Sequence, residues 1–207
     1  MTPISPRLLS SLPQYKSPPA AEEVLTGCHV KALQLGGTDL SKLTCREVLF
    51  EGCSFAGSSL YKADFRDVLF RGCDFSNADC TSSYWYRCRL EDCKGVGMLL
   101  PDSRLQSVVF QNGSFRYANL FLCRCREVLL DGANFEEANL SECQLKHFML
   151  QGANLNGASF VRTPLSGIDF TSSQADGLAV TGPELKGAVV TAFQAAELSR
   201  LLGLIIK

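Results

Sequence analysis

The sequence predicts a mainly β solenoid, and three observations carry that prediction. The first is a period of five. In residues 132–160, Phe135, Leu140, Leu145, Leu150, Leu155 and Phe160 fall on every fifth position, with Ala133, Ala138, Cys143, Phe148, Ala153 and Ala158 two places before each. Such a period fits neither an α-helix nor a strand. It fits a chain that turns a corner every five residues and points two side chains inward per side. The second observation is reach: apolar or small residues hold this register from Leu25 to Val180 without an insertion or deletion. The third is a longer period of twenty. Every twentieth residue gives a column holding Phe50, Phe70 and Phe110, another holding Phe55, Phe75, Phe115 and Phe135, and a third holding Leu40, Leu60, Leu100, Leu120 and Leu140. Aromatic and aliphatic ladders separate, as four-sided coils require. Residues 25–180 then make about eight coils, a rod roughly 38 Å long at ~4.8 Å per coil.

Between the inward positions stand Ala63-Asp64-Phe65, Ala118-Asn119-Leu120 and Ala138-Asn139-Leu140. This pattern resembles the pentapeptide-repeat family, whose motif is A(D/N)LXX, over about three-quarters of the chain. The resemblance implies a right-handed quadrilateral β-helix with twenty residues per coil. The residues themselves, which offer no catalytic constellation, set the expectation of a non-enzymatic binding protein.

Residues 1–24 lie outside the register. Pro3, Pro6, Pro13, Pro18 and Pro19 preclude a long helix, while Ile4, Leu8, Leu9, Leu12 and Tyr15 can still dock. The segment reads either as a frayed tail or as an extended strap over the first coil, whose open end exposes strand edges. No apolar run is long enough to span a bilayer, and the proline-rich start makes a poor signal peptide. A cytoplasmic protein without membrane contact is expected.

The ten cysteines first suggest a disulfide or metal framework. All of them, however, occupy the two inward columns of five: Cys28, Cys53, Cys73, Cys88, Cys93, Cys123 and Cys143 two before a centre, Cys45, Cys80 and Cys125 at centres. Stacked thiols one coil apart sit too far apart for a disulfide, and a straight row cannot converge tetrahedrally on a metal. Core filling in a reducing compartment is the expectation.

Along the second side, one corner column reads Gly52, Gly72, Asp92, Asn112, Gly132 and Gly152, which predicts a type II turn there. The outward column of the same side carries Leu49, Leu69, Arg89, Val109, Leu129 and Met149 where other sides have Asp, Asn or Ser. This ladder is a candidate interaction surface; alternatively its aliphatics shelter one another. Beside it, Arg46, Arg66, Arg126 and Lys146 form one column and Glu47, Asp67 and Glu127 the next, read as surface pairs of small worth. Residues 80–105 depart most from the pattern. Gly95 breaks a Phe ladder and is read as making room for Trp85. Tyr61, Tyr84, Tyr86, Phe121 and Leu122 form a second candidate contact patch.

After Val180 the period ends. Thr191 and Gln194 spell a capping box, and Ala195, Leu198, Leu201 and Leu202 recur at helical spacing. Leu204, Ile205 and Ile206 read as a short strand. The QAAELSRLLGLII ending resembles that of Qnr-type quinolone-resistance proteins. There it implies a homodimer joined through Leu198, Leu201, Leu202, Leu204, Ile205 and Ile206, and a type II topoisomerase such as DNA gyrase as partner, bound by mimicry of duplex DNA. The coils depart from that type in lacking loop insertions, and in holding 17 acidic and 15 basic side chains over residues 25–180. His29 and His147 fall on different sides, and no catalytic set, metal-spaced cluster or phosphate-cradling loop appears. No cofactor is expected. A net charge of −1 offers no basic balance for nucleic acid.

Overall fold

The structure, a computed structural model, describes residues 2–200 and residue 205. Its sheet is parallel throughout. Strands β1 (Gln14–Tyr15), β2 (Val24–Thr26) and β3 (His29–Lys31) precede six strands of eight residues. These are β4 (Thr44–Glu51), β5 (Asp64–Arg71), β6 (Tyr84–Glu91), β7 (Arg104–Gln111), β8 (Arg124–Asp131) and β9 (Gln144–Gln151). Each long strand pairs with the next at an offset of twenty, Cys45 beside Phe65, Phe65 beside Trp85, Trp85 beside Leu105. The other two sides are held by single bridges at the same offset, such as Ser54 to Asp74 and Ser59 to Asp79. The quadrilateral β-solenoid is therefore present.

About six full coils are built, not eight. The first coil is split between β2 and β3, and the last has no long strand. Pro164 stands where Arg104, Arg124 and Gln144 donate N–H groups to Ser83, Ser103 and Cys123 carbonyls. Lacking that hydrogen, proline ends the ladder. Leu145 and Leu150, inward residues of β9, are correspondingly only partly buried.

Every corner uses one backbone conformation. From Glu22 to Arg162 each fifth residue has a φ between +51° and +69°, whatever its side chain, Leu122 and Arg87 included. The expected special corner at Gly52 has the anticipated sign, φ +61°, but no closing bond. Hydrogen-bonded turns lie at two of the other corners, with Ser58 N–H donating to Phe55 O and Ala63 N–H to Leu60 O, both 3.0 Å.

The shaft is filled by stacked rings. Phe50 lies 5.1 Å from Phe70 and Phe55 4.8 Å from Phe75, each nearly parallel, while neighbouring columns meet edge to face. Such contacts favour the pairing beyond simple burial. Trp85 packs 4.5 Å from Phe65, and its indole Nε1–H donates to Ser83 Oγ at 2.7 Å. Gly95 does not make room for Trp85. A Cβ there would stand 2.6 Å from Phe115 Cδ1, and one at Gly113 2.6 Å from Phe115 Cε2. Both glycines clear space for Phe115.

All ten cysteines are free and buried, and the described residues hold no cluster fit for a metal. The thiols do more than fill space. Six of the seven two before a centre, all but Cys28, donate to the carbonyl of the residue twenty-three earlier: Cys53 to Val30 O at 3.4 Å, Cys88 to Phe65 O at 3.4 Å, Cys123 to Leu100 O at 2.9 Å, Cys143 to Leu120 O at 3.0 Å. Ser103 and Thr163 make the same bond with hydroxyls. Burial pushes Cys88 and Cys143 up to about 12 and Cys80 well above the ordinary thiol value, so native thiolate is suppressed.

The ends are sealed by side chains. At the N-terminal end β1 adds to β3, Tyr15 beside Val30, and the Tyr15 hydroxyl donates to Glu23 Oε1 at 2.5 Å. At the other end, helix α1 (Ala192–Ser199) opens on the anticipated capping box between Thr191 and Gln194. The same Gln194 donates from Nε2 to Phe170 O and Ser173 O, 2.9 Å each, satisfying carbonyls of the last coil. Glu184 answers the donors. Burial alone would raise its carboxyl, but the N–H groups of Arg162 and Thr181 and the Thr181 hydroxyl hold it at about 2.

The two cysteine columns predict different tolerances. Cys123→Ser keeps a donor where Ser103 already works and should cost under about 1 kcal/mol. Cys80→Ser buries a hydroxyl at a centre where the thiol makes no hydrogen bond, and should cost about 1–3 kcal/mol. Urea unfolding of the two variants measures the difference; equal costs would show that the thiol–carbonyl bonds are incidental.

Candidate functional site

The outer faces follow from the coil. Because positions one before and one after each centre point outward, residues twenty apart form vertical columns. The ladder on the second side is one such column: Leu49, Leu69, Arg89, Val109, Leu129 and Met149 are consecutive partners in register. Its members are half-buried, and Val109 is buried at 6% exposure. Stacked aliphatics cover much of one another. Arg89 interrupts the column and folds down, donating from Nη2 to Gln111 Oε1 at 2.7 Å. Its Nε lies 2.9 Å from Glu91 Oε1, an ion pair without hydrogen-bond alignment.

The five residues of the aromatic patch are divided. Tyr84 and Tyr86 stack on the first side with centroids 6.4 Å apart, under the guanidinium groups of Arg66 and Arg87. Tyr61, with Lys62 over its ring, and Phe121 stand on a corner column three coils apart, and Leu122 is exposed beside Phe121. No ring contact joins the two groups.

The charged corner differs from its expected surface character. Asp67 and Glu127 are buried, at 7% and 5% exposure. Asp67 accepts from Arg87 Nε at 2.7 Å and from the backbone N–H of Arg7 at 2.9 Å, so it ties the N-terminal segment to the coils. Glu127 accepts from Ser107 Oγ at 2.7 Å. The proline-rich segment carries no periodic signal, which is why sequence reading could not assign it a partner.

Of the C-terminal candidates, Leu198 packs partly against the core, beside an apolar hollow of about 320 Å³ lined by Leu185, Ala188, Val190 and Ala195. Ile205 is 89% exposed. Leu201, Leu202, Leu204 and Ile206 lie outside the described residues. No described helix is long and apolar enough to cross a membrane.

A filled shaft with in-register columns defines a class: β-solenoids built from five-residue units, which present outer faces and enclose no chamber. The chain belongs to the pentapeptide-repeat family. The family's pentapeptide repeat region matches residues 63–134, and its pentapeptide repeats, in eight copies, match 34–72, 118–157 and 138–173. Two solved structures are similar in fold. HetL, a pentapeptide repeat protein involved in heterocyst differentiation regulation from the cyanobacterium Nostoc, shares 21% identity over 82% of this chain and 85% of its own, with a TM-score of 0.49. Trypsin-treated QnrB1, a plasmid-mediated fluoroquinolone resistance protein, shares 21% over 90% and 91%, with a TM-score of 0.44. Comparison with curated protein sequences gives no match.

Proposed function

We propose that the chain acts without catalysis, as a rigid β-solenoid that binds another protein on its outer faces. The observation that supports this reading is the second side: six long parallel strands whose outward column is aliphatic at every position but Arg89. A regular sheet face of this kind loses little conformational entropy on docking. The ten unbridged thiols suit a reducing compartment such as the cytoplasm. Leu69→Lys and Leu129→Lys leave the core untouched and should fold, as circular dichroism would verify. Cross-linked partners recovered by the native chain from its own host's extract should be lost, by about tenfold, with either variant. Unchanged recovery would move the contact elsewhere.

A narrower reading, mimicry of duplex DNA toward gyrase or topoisomerase IV with relief of their poisons, rests on the C-terminal resemblance. The charge layout weighs against it, since a phosphate-like face needs unpaired carboxylates. A supercoiling assay with purified gyrase, with and without a fluoroquinolone, decides the matter. Inhibition or relief at micromolar protein establishes the mimic; neither effect removes it.

Self-association belongs to the C-terminal end, where the hollow beside Leu198 offers apolar surface that an isologous contact would cover. Sedimentation of the full chain should give a dimer that Leu198→Glu converts to monomer. A monomeric native chain would end this proposal.

A further inference from the structure

The first side carries a feature that neither the fold nor the ladder requires. A trough of about 500 Å³ runs along the solenoid axis from Tyr84 to Pro164. One wall is the column Arg104, Arg124 and Gln144, and the other is Gln106, Arg126 and Lys146. Its floor ends on Leu145, the one first-side centre between Leu25 and Leu165 that is not fully buried. The floor is open there because Pro164 breaks the next strand.

These walls concentrate basic charge without acids. On other columns several basic residues meet an acid one coil away, although, among the described residues, Arg46 and Lys62 also have no carboxylate within ion-pair distance. Lys42 pairs with Glu22, Arg71 with Glu91, Arg87 with Asp67, Lys94 with Asp74, Arg116 with Glu136 and Arg162 with Glu142, all twenty residues apart. Arg46 beside Arg66, another in-register basic pair, is answered by Asp64 on Arg66 Nε at 2.9 Å. In the trough, Arg104 faces Arg124 and Arg126 faces Lys146 in register, an arrangement that costs stability. Among the described residues, Arg104, Arg124 and Lys146 have no carboxylate within ion-pair distance, and Arg126 has only Glu127, 3.4 Å away and already bonded to Ser107. No carboxylate lines the trough.

We propose that this trough binds an acidic, partly apolar segment of another protein, laid in extended form along the axis. Its carboxylates would meet Arg104, Arg124 and Lys146, an apolar side chain would cover Leu145 and Pro164, and the amides of Gln106 and Gln144 would bond its backbone. From Tyr84 to Pro164 is four coil spacings, roughly 19 Å, the reach of about six extended residues. The walls favour polypeptide over nucleic acid. Strand-tracking basic grooves present free aromatic rings for base stacking, whereas the ring here, Tyr84, already has Tyr86 stacked beside it and the Arg66 guanidinium over it. The inference rests on the protein-binding reading only in making the occupant a polypeptide, and uses a different face from the ladder.

Fluorescence anisotropy with the full chain tests it, the probe being a labelled short peptide of alternating glutamate and leucine. Binding at low salt should weaken as salt rises, and Arg124→Glu should weaken it at least about tenfold while Arg46→Glu leaves it unchanged. Arg124→Glu should not lower the melting temperature, since it places a carboxylate opposite Arg104. No binding at low salt, equal binding to the Arg124→Glu variant, or tighter binding of a single-stranded oligonucleotide of equal charge would each overturn the proposal. Failure here with ladder-dependent capture retained would leave the protein-binding reading standing.

Discussion

The structure depends on one backbone constraint, a left-handed residue at each fifth position. A coil that closes on four equal sides must bend the same way four times, so it repeats one corner conformation regardless of side chain. For Leu122, Glu137 or Arg162 that conformation costs about 1–2 kcal/mol relative to ordinary backbone. No single corner could hold such a residue alone. The ladder above and below holds it, because the N–H of many corner residues donates one coil onward, as Gly57 does to Ser76 and Lys62 to Thr81, while the Arg162 N–H donates to the Glu184 carboxylate. Strain is distributed along the rod and is offset by continuous pairing and by a core in which Phe50, Phe55, Phe65, Phe70 and Phe75 are wholly buried.

This explains which parts of the fold were legible in the sequence. Inward residues must be apolar and of fixed period, so the period of five and the columns of twenty could be read directly. Corner residues need only tolerate one φ, and since neighbours enforce it, glycine is optional. Reading Gly52 and Gly72 as marking a special corner therefore singled out one of four corners that share the same φ. The coil count was overestimated for a related reason. Side-chain periodicity continues through Leu165 and Phe170, but strand pairing needs backbone hydrogens, and Pro164 withholds one. Gly95 was visible as a break in a ladder, yet its beneficiary was not. Phe115 lies one coil onward, and which neighbour fills a gap depends on ring orientation.

The candidate sites were less legible because outward positions carry no folding requirement that fixes their type. The ladder of Leu49 to Met149 could be listed from the sequence, but not the degree to which its members cover one another. Asp67 looked like a solvated charge because one of its partners, the backbone N–H of Arg7, lies outside the register; the Ser107 partner of Glu127 does lie one coil away, but a serine gives no charge signal to pair with. Gln194 is similar: its capping role is local and readable, while its bonds to Phe170 and Ser173 span the end of the solenoid. Polar contacts made from outside the coils leave no periodic trace.

The same logic assigns meaning to charge. In an in-register stack, a residue's nearest outward neighbours are those twenty before and after it, so the sequence fixes charge pairing one column at a time. Opposite signs at that spacing are the economical solution for a surface that need only stay soluble, and this chain adopts it on most columns. Where it instead stacks arginine on arginine beside an opened core position, folding gains nothing from the choice. Selection for folding alone would remove such a pair, since one substitution to glutamate supplies the missing partner. A requirement imposed from outside the rod accounts for the pair, and the acidic, apolar segment proposed above is the kind of occupant that a cationic trough with an apolar end complements.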